Sequence, residues 1–503
     1  MSPAAIAPAD AARRATRAIG GAATALVVAA LAATVIYAVG AVMGRPLDTV
    51  EGEVLFEAER IRRGLPLYVD PTMGAFDYGP VPARYYVLYP PVWSWLLSHV
   101  PAYLAAPVAR VFDVVAWFGL LAWIAARAAA GCRSTAAVGA AFVGGVYTLT
   151  LFAVTGRPDA LAVLLAGLAL ERSVRKGRID VPAGMMFALA PFVKPNVVGL
   201  AAGAFLVHVA VAVRAQWQGL EAGRGHRLAP LVAALGTASG MALALHVASG
   251  GAWVGHLLRS TAQPLSFPLW RDQVASRTTF LGAPFAFAAW CGWRRRAEPG
   301  VRLALGALGA SVGWAVFALG KIGSAGNYCI EPALAALVLI AHAHVPPVRK
   351  RGALALAALA LGQALWDGVA SVRSSYEELV TRFPAEQRAL SHARLACSAG
   401  AGDVILGDET GIELSLDGRI VATPFQMTHL ARRDLYPTDL WIADVRRPEV
   451  VGVVMEDDLL ERPLSEVSLE HDRFGPELRA VLRERFELAE TNGDWRTYRL
   501  RGR

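Results

Sequence analysis

Long apolar stretches separated by short polar loops run through most of the chain, at 18–44, 105–126, 135–154, 160–170, 181–193, 197–213, 228–249, 278–293, 303–320, 330–345 and 353–369. Most approach the roughly 20 residues that carry a helix across a bilayer, so about eleven spans are expected. The stretches at 160–170 and 181–193 are short for a straight crossing, which places their connecting loops below the membrane surface, inside protein. The uncharged run at 18–44 follows Arg13, Arg14 and Arg17. It is far longer than the apolar region of a signal peptide and is expected to stay as the first helix.

Basic residues orient these spans. Arg127/Arg133, Arg172/Arg175/Lys176/Arg178, Arg214/Arg224/Arg227, Arg294/Arg295/Arg296 and Arg349/Lys350/Arg351 follow every second stretch. By the positive-inside rule these loops and the N-terminus (1–17) are cytoplasmic. Residues 45–104, the turn at 156–159, Lys194-Pro195-Asn196, 250–277 and 321–328 then lie outside, and so does the tail from 370. The first outer loop carries an apolar stripe at helical spacing (Val54, Leu55, Ala58, Ile61, Leu65), with Glu53, Glu57, Arg60 and Arg63 facing elsewhere. This predicts an amphipathic helix at the interface, with Glu57 and Glu59 on a solvated or arginine-paired face. A second interfacial piece is expected at 88–101, with Trp93 and Trp95 at headgroup level.

The pattern changes in the tail. Short apolar runs at 403–407, 419–423, 450–455 and 497–502 predict strands, and the segments 377–396 and 474–490 predict helices. The fold class expected is a polytopic α-helical membrane protein, with a transmembrane part at 18–369 and an extracytoplasmic α/β domain at 370–503.

Composition agrees. Of 503 residues, 55% are hydrophobic and 18% charged, and the mean hydropathy is +0.41. Such a chain is a membrane protein by default, and its net charge of +8 is explained by cytoplasmic loops, so no nucleic-acid partner is expected. Cys132, Cys291, Cys329 and Cys397 show neither disulfide nor metal-ligand spacing. No phosphate-binding glycine loop is present.

The unusual polar residues gather on the outer side. Glu51 and Glu53 open the interfacial helix, and Arg110 and Asp113 stand three apart, as a structural ion pair would. Arg157 and Asp159 bracket a proline, Lys194 precedes one, and Lys321, Asn327, Tyr328 and Glu331 mark a further outer turn. Ionisable groups at membrane depth face a cavity or one another. One chemistry suits the set. A sugar carried on a lipid phosphate has an acidic leaving group, so its departure needs cations, for which Lys194, Arg157 and Arg110 are candidates. An attacking hydroxyl needs one carboxylate to accept its proton. No cofactor is required. A divalent metal held by Glu51 and Glu53 is an open alternative, carried only by two acids two residues apart.

The segments "VEGEVLFEAERIRRGLPLYVDP", "YPPVW", "GRPDALAVLLAGLAL", "FVKPN" and "KIGSAGNYCIEP" resemble the GT-C superfamily of polyprenyl-phosphate-sugar glycosyltransferases. The nearest branch is the bacterial relatives of protein O-mannosyltransferases and lipid A aminoarabinose transferases, and the likeness covers 15–370. It implies a multi-pass enzyme of the cytoplasmic membrane, with a polyprenyl-phosphate sugar as donor, membrane lipid around it, and a glycan, lipid or protein acceptor. That family carries an Asp-Glu pair before a glycine in its first outer loop. Glu51-Gly52 matches the second acid and the glycine, while Val50 stands in place of the first. The resemblance implies Glu51 as general base, with Glu53 or Asp48 in reserve. Asp159 and Lys194 match its outer-turn acid and its phosphate-contacting base, and Tyr328 and Glu331 fall where relatives close the cavity. A transporter, or an inactive scaffold on the same fold for glycan or lipid export, is the alternative. The former should show two matching halves, which this chain lacks.

Overall fold

The computed structural model describes residues 45–73, 84, 86–129, 155–218, 224–342, scattered positions within 359–377, and 378–418, 420–456, 460–461 and 473–503. The expected spans at 18–44 and 135–154, and most of 353–369, lie outside the described residues. In chain order the helices are α1 (Thr49–Arg62), α2 (Val92–Ser98), α3 (Ala102–Ala129), α4 (Asp159–Lys176), α5 (Val181–Val193), α6 (Gly199–Trp217) and α7 (Arg224–Ala248). There follow α8 (Ala252–Ser260), α9 (Phe267–Arg294), α10 (Pro299–Ala318), a 3-10 turn at Gly326–Cys329, and α11 (Ile330–His342). The tail runs α12 (Phe383–Ala396), β1 (Val404–Gly407), α13 (Thr410–Asp417), α14 (Pro424–Ala431), α15 (Thr438–Val445), β2 (Val450–Glu456), α16 (Pro476–Arg485), β3 (Phe486–Asn492) and β4 (Trp495–Leu500).

Among the described residues, four stretches are long and apolar enough to cross a membrane: Ala102–Ile124, Gly199–Trp217, Leu228–Ala248 and Pro299–Ala318. Two shorter apolar helices cover Val181–Val193 and Gly326–His342. The apolar stretch expected at 278–293 is the second half of a longer helix, α9. Ser266 caps that helix by accepting from Leu269 N–H, and Pro268 sits in its first turn, where its missing N–H costs nothing.

The chain forms two compact units. One takes in Val111–Ala242 and Leu265–Ser374, the other Val39–Arg110, Leu243–Pro264 and Ser375–Arg503. In the first, α6 and α10 cross on small residues. A Cβ at Gly203 would stand 2.0 Å from the Gly306 carbonyl oxygen, and one at Gly199 would stand 2.6 Å from Ser311 Cα. Side-chain-free crossings of this kind let two backbones pack by dispersion where lipid offers no hydrophobic drive.

In the second unit a four-stranded sheet has the order β1-β2-β4-β3. β1 and β2 are parallel, and the other pairs are antiparallel. Both faces are covered. Val404, Leu406, Val450, Val453 and Met455 join Phe56, Tyr86 and Trp441 in one core, while Ile405, Val451 and Val454 pack with Ala389, Ala393 and Trp495 in another. The alternation of a pleated strand divides these residues between the two faces.

Several expectations are corrected here. Of the strand expected at 419–423, the described residues 420–423 form no strand and carry one bridge, between Ala422 and Arg84. The helix expected at 474–490 stops at Arg485, and its last residues become β3, which pairs with β4 through a two-residue turn at Gly493-Asp494. Gly493 has φ +62, and Gly493-Asp494 is a glycine-first two-residue hairpin loop that outweighs the helix-compatible spacing before it. Trp93 is buried in packing, whereas Trp95 is 51% exposed. Cys397 is fully buried.

Candidate functional site

Each unit builds its own polar cluster. In the unit containing α1, Asp48 caps the helix by accepting from Glu51 N–H at 2.8 Å. That places Glu51 in the first turn, where the helix dipole favours an anion. Its side chain is fully buried and takes both arms of the Arg110 guanidinium, Nε at 2.6 Å and Nη2 at 2.7 Å. Arg110 Nη2 also donates to the Arg45 carbonyl at 3.1 Å. Arg110 was expected among the phosphate-binding cations or paired with Asp113. Its fork holds Glu51, a bidentate geometry that also fixes the carboxylate's orientation. Burial pushes the Glu51 carboxyl above its ordinary value, against the pull of Arg110.

The glycine after Glu51 has a packing reason. A Cβ at Gly52 would stand 2.7 Å from Gly411 Cα, and one at Gly411 would stand 1.9 Å from the Leu47 carbonyl oxygen. Helices α1 and α13 therefore meet through two glycines, and Thr410 Oγ1 donates to the Thr49 carbonyl at 2.6 Å. Sequence reasoning missed Thr410 and Gly411, whose one local signal is a glycine in the first turn of a helix. Glu53, the reserve base, is also buried, and Thr423 Oγ1 donates to it at 3.4 Å.

The solvated face expected on α1 is not there. Glu57 and Arg60 are buried, because α2 and α13 pack on sides of α1 that the apolar stripe does not mark. Glu59 keeps the expected role, paired with Arg62 and with Arg63 at 2.6 Å. Among the described residues Glu57 meets no cation and accepts only from Ser94 Oγ, at 2.6 Å, and burial raises its carboxyl to about 8.

A prediction follows from that shift. A carboxyl whose folded value is raised contributes stability that is fully present below its unfolded value near 4.5 and is lost as pH rises through about 8. Glu57→Gln keeps an oxygen for Ser94 but removes this titration. The variant's Tm should exceed the wild type's at pH 8, and its fall between pH 5 and pH 8 should be shallower. Equal slopes in thermal scans would place Glu57 in contact with water.

The other unit carries the second cluster. Gly156, at φ +76, turns the chain so that Asp159 opens α4, and Lys194 closes α5 just before Pro195. The Lys194 ammonium is paired with the Asp159 carboxylate, and both side chains are almost wholly buried. Arg157 and Asp113 lie close enough to act on Lys194 electrostatically. Tyr328 lies close enough to Asn196 and Asp159 to interact with both. Glu331 accepts from Gly199 N–H and Leu200 N–H, each at 3.1 Å. Its carboxylate therefore caps α6 from a distant helix, which makes it a positioning group within the set expected to line the cavity. Asp159 Oδ2, Asn196 Oδ1 and Asn327 Oδ1 are buried acceptors that find no donor among the described residues. Hydroxyl groups would satisfy them. The structure thus brings Asp159, Lys194, Arg157 and Tyr328 near one another. Among the described residues, no group of three or more His, Cys, Asp or Glu is placed to hold a metal ion.

No protein-family model and no curated protein matches the sequence. Solved structures do. ArnT from Cupriavidus metallidurans bound to undecaprenyl phosphate superposes with a TM-score of 0.56 at 14% identity, over 94% of this chain and 97% of that one. Its apo state gives 0.55 at the same identity and coverage. The chain shares the fold of ArnT. Arabinofuranosyltransferase AftD from Mycobacteria aligns over 94% of this chain and 40% of its own, at 16% identity and a TM-score of 0.45. The likeness agrees with a helical membrane fold, of which four helices among the described residues are long and apolar enough to cross a membrane.

Proposed function

We propose that this protein is a glycosyltransferase that moves a sugar from a polyprenyl-phosphate carrier to an acceptor hydroxyl at the outer face of the cytoplasmic membrane. The observation that carries this is the buried Lys194–Asp159 pair with Arg157 close by, in a chain with the fold of an ArnT structure that holds undecaprenyl phosphate. Two cations beside buried acceptors suit a phosphate and the hydroxyls of the sugar on it. In the reaction the acceptor oxygen attacks the anomeric carbon as the bond from that carbon to the phosphate oxygen breaks. Glu51 takes the acceptor's proton, and Lys194 and Arg157 stabilise the charge gathering on the departing lipid phosphate. Glu53 and Asp48 are the reserve bases. Asp159 holds Lys194 and accepts from substrate hydroxyls, with Asn327 and Tyr328 on the acceptor side. Full-length protein in nanodiscs, given a radiolabelled polyprenyl-phosphate sugar and envelope acceptors, should release free lipid phosphate in step with label transfer. Binding of lipid phosphate without turnover would favour the scaffold alternative.

The topology proposed with it has about eleven spans, a cytoplasmic N-terminus and an outer α/β domain at 370–503. Because Cys397 is buried, the test needs another thiol. Leu395 is 83% exposed, so Leu395→Cys in a Cys132→Ser background should react with an impermeant maleimide in intact cells, while the parent does not. Labelling only after lysis would reverse the orientation.

A further inference from the structure

At the carboxyl ends of the parallel strands β1 and β2 lies a second polar cluster that the transfer mechanism does not use. Asp408 follows β1, and its Oδ2 accepts from the N–H of Glu456, the last residue of β2, at 3.0 Å. Glu409 comes next in the chain, and Glu386 reaches the cluster from α12, close enough to interact with Glu409 and Glu456. Two of these acids are matched by cations, Glu409 by Arg473 at 3.3 Å and Glu456 by Arg382 at 2.8 Å. The Arg473 guanidinium in turn lies 5.1 Å from the centre of the Phe425 ring.

The other two acids are only partly answered: Arg473 acts on Asp408, and Arg382 and Arg45 act on Glu386, without a direct ion pair to either among the described residues. Asp408 is 3% exposed and Glu386 9% exposed. Asp408 Oδ1 has no hydrogen-bond partner among the described residues, and the Glu386 carboxyl makes no hydrogen bond or ion pair with any of them. Buried polar groups are ordinarily satisfied, and leaving one open costs stability. A buried carboxylate oxygen without a donor on Asp408, beside a Glu386 carboxyl that makes no direct bond and at the strand ends where ligands of parallel sheets bind, indicates that something else completes the cluster.

We propose that this cluster binds a neutral, hydroxyl-rich saccharide, with Asp408 and Glu386 as its principal contacts. A metal ion is not what it fits, since among the described residues no group of three or more acids, histidines or cysteines is suitably placed. An organic cation fits poorly as well, because Arg473 and Arg382 already answer Glu409 and Glu456. Burial raises Glu386 to about 8 and Asp408 well above its ordinary value. A protonated carboxyl both donates and accepts, which is what a hydroxyl group requires.

The inference rests on this cluster and not on the transferase assignment. Saturation-transfer NMR on the full chain in nanodiscs would use mannotriose, arabinotriose and maltotriose as probes, with spermidine as the cationic control. At least one trisaccharide should receive saturation, and Glu386→Met should weaken its binding about tenfold. The Tm of Glu386→Met should be unchanged or higher, because no partner inside the protein is lost, and Asp408→Asn should weaken binding as well. Binding of polyprenyl phosphate to the same samples should not change, so a failed transferase assignment would show there and not here. The proposal is overturned if no trisaccharide binds the wild type, if both variants bind normally, if spermidine binds instead, or if Glu386→Met lowers Tm.

Discussion

Glu51→Gln should lower turnover by about 10²–10⁴-fold while leaving the binding of polyprenyl phosphate intact. Glutamine keeps the size and can still accept from Arg110, but it cannot take a proton from an attacking hydroxyl. The structure adds a second consequence. Glu51 and Arg110 form a buried bidentate pair, and removing one charge of such a pair costs about 3–5 kcal/mol of stability. Activity must therefore be measured on protein shown to be folded, and the double variant Glu51→Gln/Arg110→Gln separates the two effects. It should recover Tm relative to the single variant and remain inactive. Glu57→Gln serves as the control in the same helix, and its turnover should stay near that of the wild type. If Glu53→Gln is inactive and Glu51→Gln is active, the proton acceptor is Glu53. If all three turn over normally, this loop supplies no base.

Lys194→Ala should weaken donor binding by about 1.5–3 kcal/mol through loss of a charge-assisted contact to phosphate. It should also destabilise the fold, since the buried Asp159 carboxylate loses its cation. Lys194→Met with Asp159→Asn removes both charges at nearly constant volume. Tm should then return toward the wild-type value, while affinity for polyprenyl phosphate, measured by native mass spectrometry, stays low. Lys194→Arg should retain part of the affinity, because the charge survives with altered geometry. Normal affinity in the double variant would make the pair purely structural.

The candidate site was partly legible in the chain. Asp159 and Lys194 stand out because each is an ionisable residue beside a proline at the end of a short apolar stretch, and such a position demands a partner. Their pairing is what the structure supplies. Glu51 was legible as a first-turn acid next to a glycine, but its partner was not. Arg110 is 59 residues away and equally well placed by spacing to meet Asp113. Glu57 was misjudged because an apolar stripe describes one packing face, and α1 is packed on more than one. Glu331 looked like a cavity residue, yet its carboxylate caps α6 from 132 residues away.

Among the described residues, the sequence by itself determined the apolar helices, the turns between them, and three of the four strands. Hydrophobic periodicity, prolines and glycines act within a few residues, so their effects can be read locally. Only the tertiary structure decided that Phe486–Asn492 is a strand, because its pairing energy comes from β4 and not from its own propensity. The tertiary structure likewise decided which charges meet, since a buried ion pair depends on where distant helices bring their side chains and local sequence carries no record of that.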